Sequence, residues 1–140
     1  MSHKYEKNGA AIYKKSFSII RSESQLSQFN ADEEQVAVRM IHAAGMVDLA
    51  KYIYFSSGFV HSARAALSNG APIFCDAKMV SEGITRRRLP ADNDVICTLT
   101  APNIYELAAS MNNTRSAAPL EHWSDRLTGA VVAIGNAPTA

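Results

Sequence analysis

The chain has 140 residues, a length typical of one domain, and its 47% hydrophobic and 19% charged content predicts a folded globular protein rather than a disordered one. Fourteen basic residues against thirteen acidic ones give a net charge of +1, which excludes a whole-molecule field that would attract nucleic acid or an anionic membrane. We therefore expect any anionic ligand to be bound by a few local groups.

The ends of the chain and its cysteines indicate a cellular location. The start, MSHKYEKNG, lacks the apolar stretch of a signal peptide, and the longest apolar run near the end, AVVAIG, is too short to cross a bilayer. Cys75 and Cys97 lie inside separate apolar runs, with a spacing that matches no zinc or redox motif. We expect buried thiols in a soluble, cytoplasmic protein that has no membrane partner.

The first 60 residues carry two helical patterns. The segment AAIYKKSFSII predicts a helix whose apolar side consists of Ile12, Ser16, Ile19 and Ile20. A second helix is predicted from Asn30, because Glu33 follows at the spacing of a capping box. Its helically spaced apolar residues are Val36, Met40, Ala43, Ala44 and Val47. His42 then projects from this second helix, and residues 52–55 fit either a helix end or a short strand.

Helices and short apolar strands alternate in the rest of the chain. FVHSARAAL predicts a helix that Asn69 and Gly70 end, and further helices are predicted in NIYELAASM and APLEHWSDRL. The runs IFC, DVICTL and AVVAIG predict buried strands. This order predicts an α/β, Rossmann-like single domain over residues 1–140, with a mostly parallel sheet covered by helices. A ligand is then expected at the carboxyl ends of the strands, in CDAK, TLTAPN and GNAPT.

Several common catalytic motifs do not occur in this sequence. It contains no G-x-G-x-x-G, G-x-x-x-x-G-K-[ST], C-x-x-C or H-E-x-x-H, so nothing points to a dinucleotide, a triphosphate or a catalytic zinc. We expect no cofactor and no metal, and chemistry that resides in the substrate. His3, His61 and His122 have polar surroundings and are expected at the surface. His42 has small apolar neighbours and is either a packed histidine or the first candidate for a general acid.

Cations and capping residues are candidates for anion binding. Arg86, Arg87 and Arg88 form a run that fits a solvated turn, or else an anion clamp. Arg115 lies in NNTRSAA beside capping residues such as Thr114, so a guanidinium and backbone N–H groups could meet a carboxylate there, unless these residues only cap a helix. Asn136 and Thr139 follow the last strand and offer neutral hydrogen bonds, although a simple turn explains them equally well.

Segments along nearly the whole chain resemble the precorrin-8X methylmutase family, the precorrin isomerases of cobalamin biosynthesis. They are AIYKKSFSIIR, VRMIHAAGMVDLA, FSSGFVHSARAAL, GAPIFCDAKMVSEGIT, VICTL, NTRSAA and AVVAIGNAPTA. The resemblance implies an α/β homodimer that moves a methyl group between adjacent ring C carbons of a corrin precursor, yielding hydrogenobyrinate without metal or cofactor. It also implies that family members continue past GNAPTA, so this chain, which ends at Ala140, is expected to lack their C-terminal part.

The resemblance also assigns roles to residues. M-I-H-A-A-G matches the family's catalytic motif, which makes His42 the expected proton donor beside the migrating methyl group. Residues in family segments that border the pocket are expected to bind the substrate's acidic arms: Arg115, Thr85, Ser16, Asn136 and Thr114. Two alternatives stay open, namely a cobalt-precorrin-8 methylmutase of the anaerobic pathway and a non-catalytic corrinoid-binding protein.

Overall fold

The computed structural model describes residues 5–138, so His3 and Thr139 lie outside the described residues. The backbone forms two compact units, which divide after His61. The first contains α1 (Gly9–Glu23), α2 (Ala31–Ala44) and a 3-10 helix at Val47–Tyr52. The division falls within α3 (Phe59–Ser68). None of the helices in the described range is both long and apolar enough to span a membrane.

The two helices of the first unit begin at asparagine caps. The Asn8 side chain accepts hydrogen bonds from the backbone N–H groups of Ala10 and Ala11 at the start of α1. At the start of α2, the Asn30 side chain accepts from the Glu33 N–H while the Glu33 carboxylate accepts from the Asn30 N–H, which confirms the predicted capping box. Gly45 ends α2 at φ +67°, a conformation that glycine adopts without steric cost.

The core of the first unit contains Ile20, Val38, Ile41 and Ala50, with Phe17 and Phe29 among the residues packed against it. The predicted apolar side of α1 is partly wrong, because Ile12 and Ile19 are 45% and 43% exposed. On α2, Met40, Ala43 and Ala44 are exposed and the buried residues are Ala37, Val38 and Ile41. In both helices the observed buried face is rotated by about one residue from the predicted face. Hydrophobic periodicity alone does not resolve a difference of this size.

Residues 52–55, predicted as either a helix end or a short strand, do not form either structure over their full length. Tyr52 ends the 3-10 helix, and residues 53–55 belong to no helix or strand. Ile53 packs against the core of the unit, whereas Tyr54 is largely exposed.

The second unit is built on a three-stranded parallel sheet, as predicted. The strands are β1 (Ile73–Cys75), β2 (Val95–Cys97) and β3 (Val131–Ala133), in the order β2-β1-β3. β1 covers the whole of the run IFC, whereas β2 and β3 are shorter than their runs DVICTL and AVVAIG. β1 is buried as predicted, but β2 is half-buried and Val132 of β3 is exposed, so the prediction of buried strands is wrong for these two. Cys75 pairs in register with Cys97 on one side and with Ala133 on the other, so the three strands end at the same edge. The α/β class is confirmed.

Helices connect these strands. They are α4 (Lys78–Gly83), α5 (Ile104–Ser110) and 3-10 helices at Arg86–Arg88 and Ala118–Arg126. The buried Phe74 ring lies 5.4 Å from the Trp123 ring. The indole N–H of Trp123 donates to the Thr98 hydroxyl, which donates to the Pro119 carbonyl. This chain of bonds joins the end of β2 to the 3-10 helix and satisfies the buried indole.

The two cysteines are free thiols that lie side by side on β1 and β2. Cys75 is fully buried, as expected, and Cys97 is half-buried. Burial raises the pKa of the Cys75 thiol, and the neighbouring Cys97 raises it further. Cys75 is therefore held in its unreactive thiol form.

Candidate functional site

His42 and Ser16 form a hydrogen-bonded pair in the first unit. The Ser16 Oγ lies 2.7 Å from the His42 Nδ1, and the two residues are 26 positions apart in the sequence. Both side chains are half-buried, so the ring is held in place and still meets solvent. With Nδ1 engaged by Ser16, Nε2 is the ring nitrogen left to exchange a proton with a ligand.

Two aromatic rings of α1 pack against the imidazole ring of His42. The Tyr13 ring lies 5.2 Å from the His42 ring, and the Phe17 ring lies 5.4 Å from it in an edge-on orientation. The Arg39 guanidinium stacks over both aromatic rings, 5.6 and 5.5 Å from their centres. These three neighbours were not predicted from the sequence. Their spacing was a usable signal, because Tyr13 and Phe17 are four residues apart on α1 and Arg39 lies three residues before His42 on α2.

In the second unit, the carboxyl ends of β1 and β3 meet at Asp76. This buried carboxylate accepts hydrogen bonds from the backbone N–H groups of Gly135, Asn136 and Ala137, at 2.9, 2.7 and 2.7 Å. Burial alone would raise the pKa of Asp76, but backbone N–H donors, those of Gly135, Asn136 and Ala137 before that of Asp76 itself, outweigh it and hold the pKa below its ordinary value. Asp76 is thus a carboxylate whose charge is stabilised by backbone N–H groups. It was missed as a site residue, although it stands in CDAK, directly after a strand.

Asn136 and the NTRSAA segment are brought together. The Asn136 amide donates to the Ser116 hydroxyl at 2.9 Å, next to Arg115 in the chain. The Arg115 guanidinium lies over the Tyr105 ring, 5.2 Å from its centre, and is exposed. The Thr114 hydroxyl accepts from the Ala117 N–H in the turn before the next helix. That helix begins at Ala118 with Ala117 as its N-cap and no side-chain cap, so the helix-capping interpretation of Thr114 is wrong.

The other sequence-predicted residues have their own surroundings. Thr85 is exposed at the start of the Arg86–Arg88 helix, and in the described part of the chain no side-chain hydrogen bond joins it to Arg115 or Asn136. Arg86 donates to the carbonyls of Ser81 and Ile84, so it closes the end of α4. His61 and His122 are exposed, as expected.

No group of three or more histidine, cysteine, aspartate or glutamate side chains in residues 5–138 could hold a metal ion. The sequence-predicted site residues carry hydroxyls, an amide, a guanidinium group and an imidazole, which are groups that can bind a polar organic anion.

The parallel sheet and its connecting helices place the second unit in the α/β class of proteins. The family model of precorrin-8X methylmutase matches residues 11–140. The chain belongs to the precorrin-8X methylmutase family.

Known relatives agree with that family. A precorrin-8X methylmutase of Sinorhizobium sp is 60% identical over 97% of this chain, and one of Pseudomonas aeruginosa is 55% identical over the same share. A solved structure titled as the precorrin-8X methylmutase of Thermus thermophilus superposes with a TM-score of 0.80 at 35% identity, over 94% of this chain and 64% of that one. A cobalt-precorrin-8 methylmutase of Methanocaldococcus jannaschii is 29% identical over 96% of this chain and 64% of its own length. The chain spans 65% of the length of the first two relatives.

Proposed function

We propose that the protein is a precorrin-8X methylmutase, an isomerase of cobalamin biosynthesis. It moves a methyl group between adjacent ring C carbons of precorrin-8X and yields hydrogenobyrinate. Family membership and 55–60% identity to two proteins of that name support the assignment. The observation that carries the chemistry is the 2.7 Å contact between Ser16 and His42, because it holds an imidazole with one nitrogen left to donate a proton.

In the proposed mechanism, the protonated His42 donates its Nε2 proton to the macrocycle beside the migrating methyl group. Protonation lowers the barrier to a sigmatropic shift of that group, and general acid catalysis of this kind contributes about 10² to 10⁴ in rate. Because the overall reaction is an isomerisation, the macrocycle loses a proton after the shift and His42 regains one. Ser16 accepts a hydrogen bond from Nδ1–H throughout, which keeps the ring orientation constant.

The acidic arms of the substrate are proposed to meet local donors. Arg115 is the strongest candidate, since its exposed guanidinium can bind a carboxylate through two parallel hydrogen bonds. Thr114, Asn136 and Thr85 are proposed to add neutral hydrogen bonds to the substrate. Ser16 is proposed to contact the substrate in addition to its hydrogen bond with His42. Binding through such local groups suits a chain whose net charge is only +1. No resident cofactor or metal is proposed.

The proposal also covers the domain organisation, the cellular location and the oligomeric state of the protein. The family model extends across the division between the two units, which supports one methylmutase domain over residues 1–140. The two free thiols support a reducing, cytoplasmic location. A homodimer is supported by exposed apolar side chains such as Val132, which is 46% exposed on β3.

A cobalt-precorrin-8 methylmutase activity of the anaerobic pathway is a second candidate function. It is favoured by relatives named cobalt-precorrin-8 methylmutase, although these are less similar to the chain than the two precorrin-8X enzymes. Parallel assays with metal-free and cobalt-containing substrate separate the two. A higher kcat/KM for the metal-free substrate is expected, and the reverse order would reassign the pathway.

An absorbance titration with precorrin-8X tests the proposed reaction, because the rearrangement changes the conjugation of the macrocycle. His42→Ala is expected to lower kcat by about 10² to 10⁴ and to retain binding. The matched control is His122→Ala, an exposed histidine of the second unit. A normal rate in His42→Ala would remove the acid role, and a bound but never converted substrate in the unaltered protein would favour the non-catalytic corrinoid-binding alternative.

A further inference from the structure

Asp76 is a buried charge for which the proposed reaction has no use. Its side chain is 1% exposed, and it follows β1 directly. Its three hydrogen-bond donors are backbone N–H groups 59 to 61 residues further along the chain. Bonds of this kind to a carboxylate are roughly twice as strong as bonds between neutral groups. Asp76 therefore anchors the segment Gly135–Asn136–Ala137, called here the β3 loop, to the end of β1.

The β3 loop also passes close to Val80 of α4. A Cβ atom built on Gly135 would lie 2.5 Å from Val80 Cγ2, closer than real side chains approach. Gly135 is thus needed for the loop to pass between Asp76 and Val80. The hydrogen bonds to Asp76 hold the loop in this position, and the space beside Val80 leaves no room for a side chain at position 135.

The position of the β3 loop determines where the Asn136 side chain lies. That side chain is exposed and donates to the Ser116 hydroxyl, one residue from Arg115. Because the Asn136 N–H bonds to Asp76 at 2.7 Å, a shift of this backbone moves the amide away from Ser116. The loop therefore links Asp76 to an exposed polar surface made of Asn136, Ser116 and Arg115.

We propose that Asp76 is a positioning residue for substrate binding: it holds the β3 loop so that Asn136, Ser116 and Arg115 receive an acidic arm of the corrin precursor together. This inference rests on the proposed methylmutase function. Asp76 does not touch the substrate and acts only through the loop. A residue with that role affects the binding of substrate far more than the proton transfer by His42.

Asp76→Asn is the first variant to measure. The amide keeps the size of the side chain but presents an N–H donor where the carboxylate accepts a bond. We expect KM for precorrin-8X to rise about tenfold, with kcat within about threefold of the unaltered protein. The backbone amides of Asn136 and Ala137 are expected to lose protection from hydrogen exchange at the same time. Asp125→Asn, the same change at an exposed position, is expected to alter neither KM nor exchange.

A double-mutant cycle separates positioning from general stabilisation. Asn136→Ala removes the exposed amide and keeps the three N–H groups that bind Asp76. If Asp76 acts through the β3 loop, KM of the double variant equals that of the weaker-binding single variant, because the second change removes an interaction already lost. Two KM increases that multiply would overturn the proposal, as would an Asp76→Asn variant that lowers Tm and leaves KM unchanged.

Gly135→Ala decides the question if Asp76→Asn does not fold. The added methyl group pushes the loop away from Val80 while the Asp76 carboxylate is retained. The same KM increase is expected, and Gly83→Ala is the matched control, since a Cβ atom there meets nothing within 4 Å. An unchanged KM in Gly135→Ala would contradict the inference. If the unaltered protein neither binds nor converts precorrin-8X, the proposed function fails and the role of Asp76 in binding fails with it.

Discussion

At the scale of single residues, the contact between Ser16 and His42 gives the candidate acid a defined orientation. The motif M-I-H-A-A-G points to His42, whereas Ser16 is a candidate only through a family segment that borders the pocket. The hydrogen bond between the two indicates a further role for Ser16, that of holding the imidazole ring, beside its proposed contact with the substrate. Histidine rings that act on a ligand through one nitrogen commonly use the other for such an orienting bond.

Ser16→Ala tests this second task. The variant removes the partner of Nδ1 and leaves the Tyr13 and Phe17 rings beside the imidazole. We expect kcat to fall about tenfold, as the ring samples other orientations, and KM to rise less than kcat falls. Ser18→Ala, at an exposed position on the same helix, is the control. Steady-state kinetics that show equal kcat for both variants would rule out the orienting role.

The lowered pKa of Asp76 makes the stability of the folded protein depend on pH. Because its folded-state pKa is lowered, its contribution to folding is complete above the unfolded-state pKa of about 3.9 and is lost as the pH falls through the folded value. We expect Asp76→Asn to reduce the free energy of unfolding by about 1–3 kcal/mol at neutral pH, and by progressively less below about pH 4. Urea unfolding of both proteins at several pH values measures this difference. A difference that stays constant down to strongly acidic pH would show that the carboxylate charge is not responsible.

At the scale of elements, the capping box of α2 was visible in the sequence because its bonds are local. Asn30 and Glu33 are three residues apart and satisfy each other's backbone donors without any tertiary partner. The apolar faces of α1 and α2 were less predictable. Which of several adjacent apolar residues is buried depends on how the two helices pack. Ile20 is buried in the core as predicted, whereas Phe17 packs there in place of Ile12 and Ile19.

Asn30→Ala is expected to lower the free energy of unfolding by about 1 kcal/mol. The substitution leaves the N–H groups of Asp32 and Glu33 without their side-chain acceptor at the start of the helix that carries His42. Chemical unfolding followed by circular dichroism is the measurement. Gln35→Ala, at an exposed position within α2, is expected to change stability by less than about 0.5 kcal/mol. Equal effects of the two substitutions would contradict the capping argument.

At the scale of the whole molecule, net charge and local charge act differently. Fourteen basic and thirteen acidic residues nearly cancel, so long-range attraction of an anionic substrate is weak. The proposed binding instead depends on short-range contacts such as those of Arg115. These contacts are still screened by salt because their cations are exposed.

Raising the salt concentration from about 0.05 M to about 0.5 M is expected to raise KM several-fold and to leave kcat nearly constant. Arg115→Gln is expected to raise KM at low salt and to flatten this dependence, since one screened contact is already gone. Kinetics at a series of salt concentrations measure both effects. An unaltered salt dependence in Arg115→Gln would place the responsible cation elsewhere.

Features that rest on short spacing could be predicted from the amino-acid sequence: the capped start of α2, the three apolar strands with their α/β alternation, and the motifs that indicate the family and make His42 the candidate acid. Which distant residues meet depends on the tertiary structure. It placed Ser16 against His42, Asp76 against the β3 loop, and Cys75 beside Cys97. The physical reason is that periodicity and capping depend on neighbours along the chain, whereas hydrogen bonds across 26 to 61 residues depend on how the packed elements bring their side chains together.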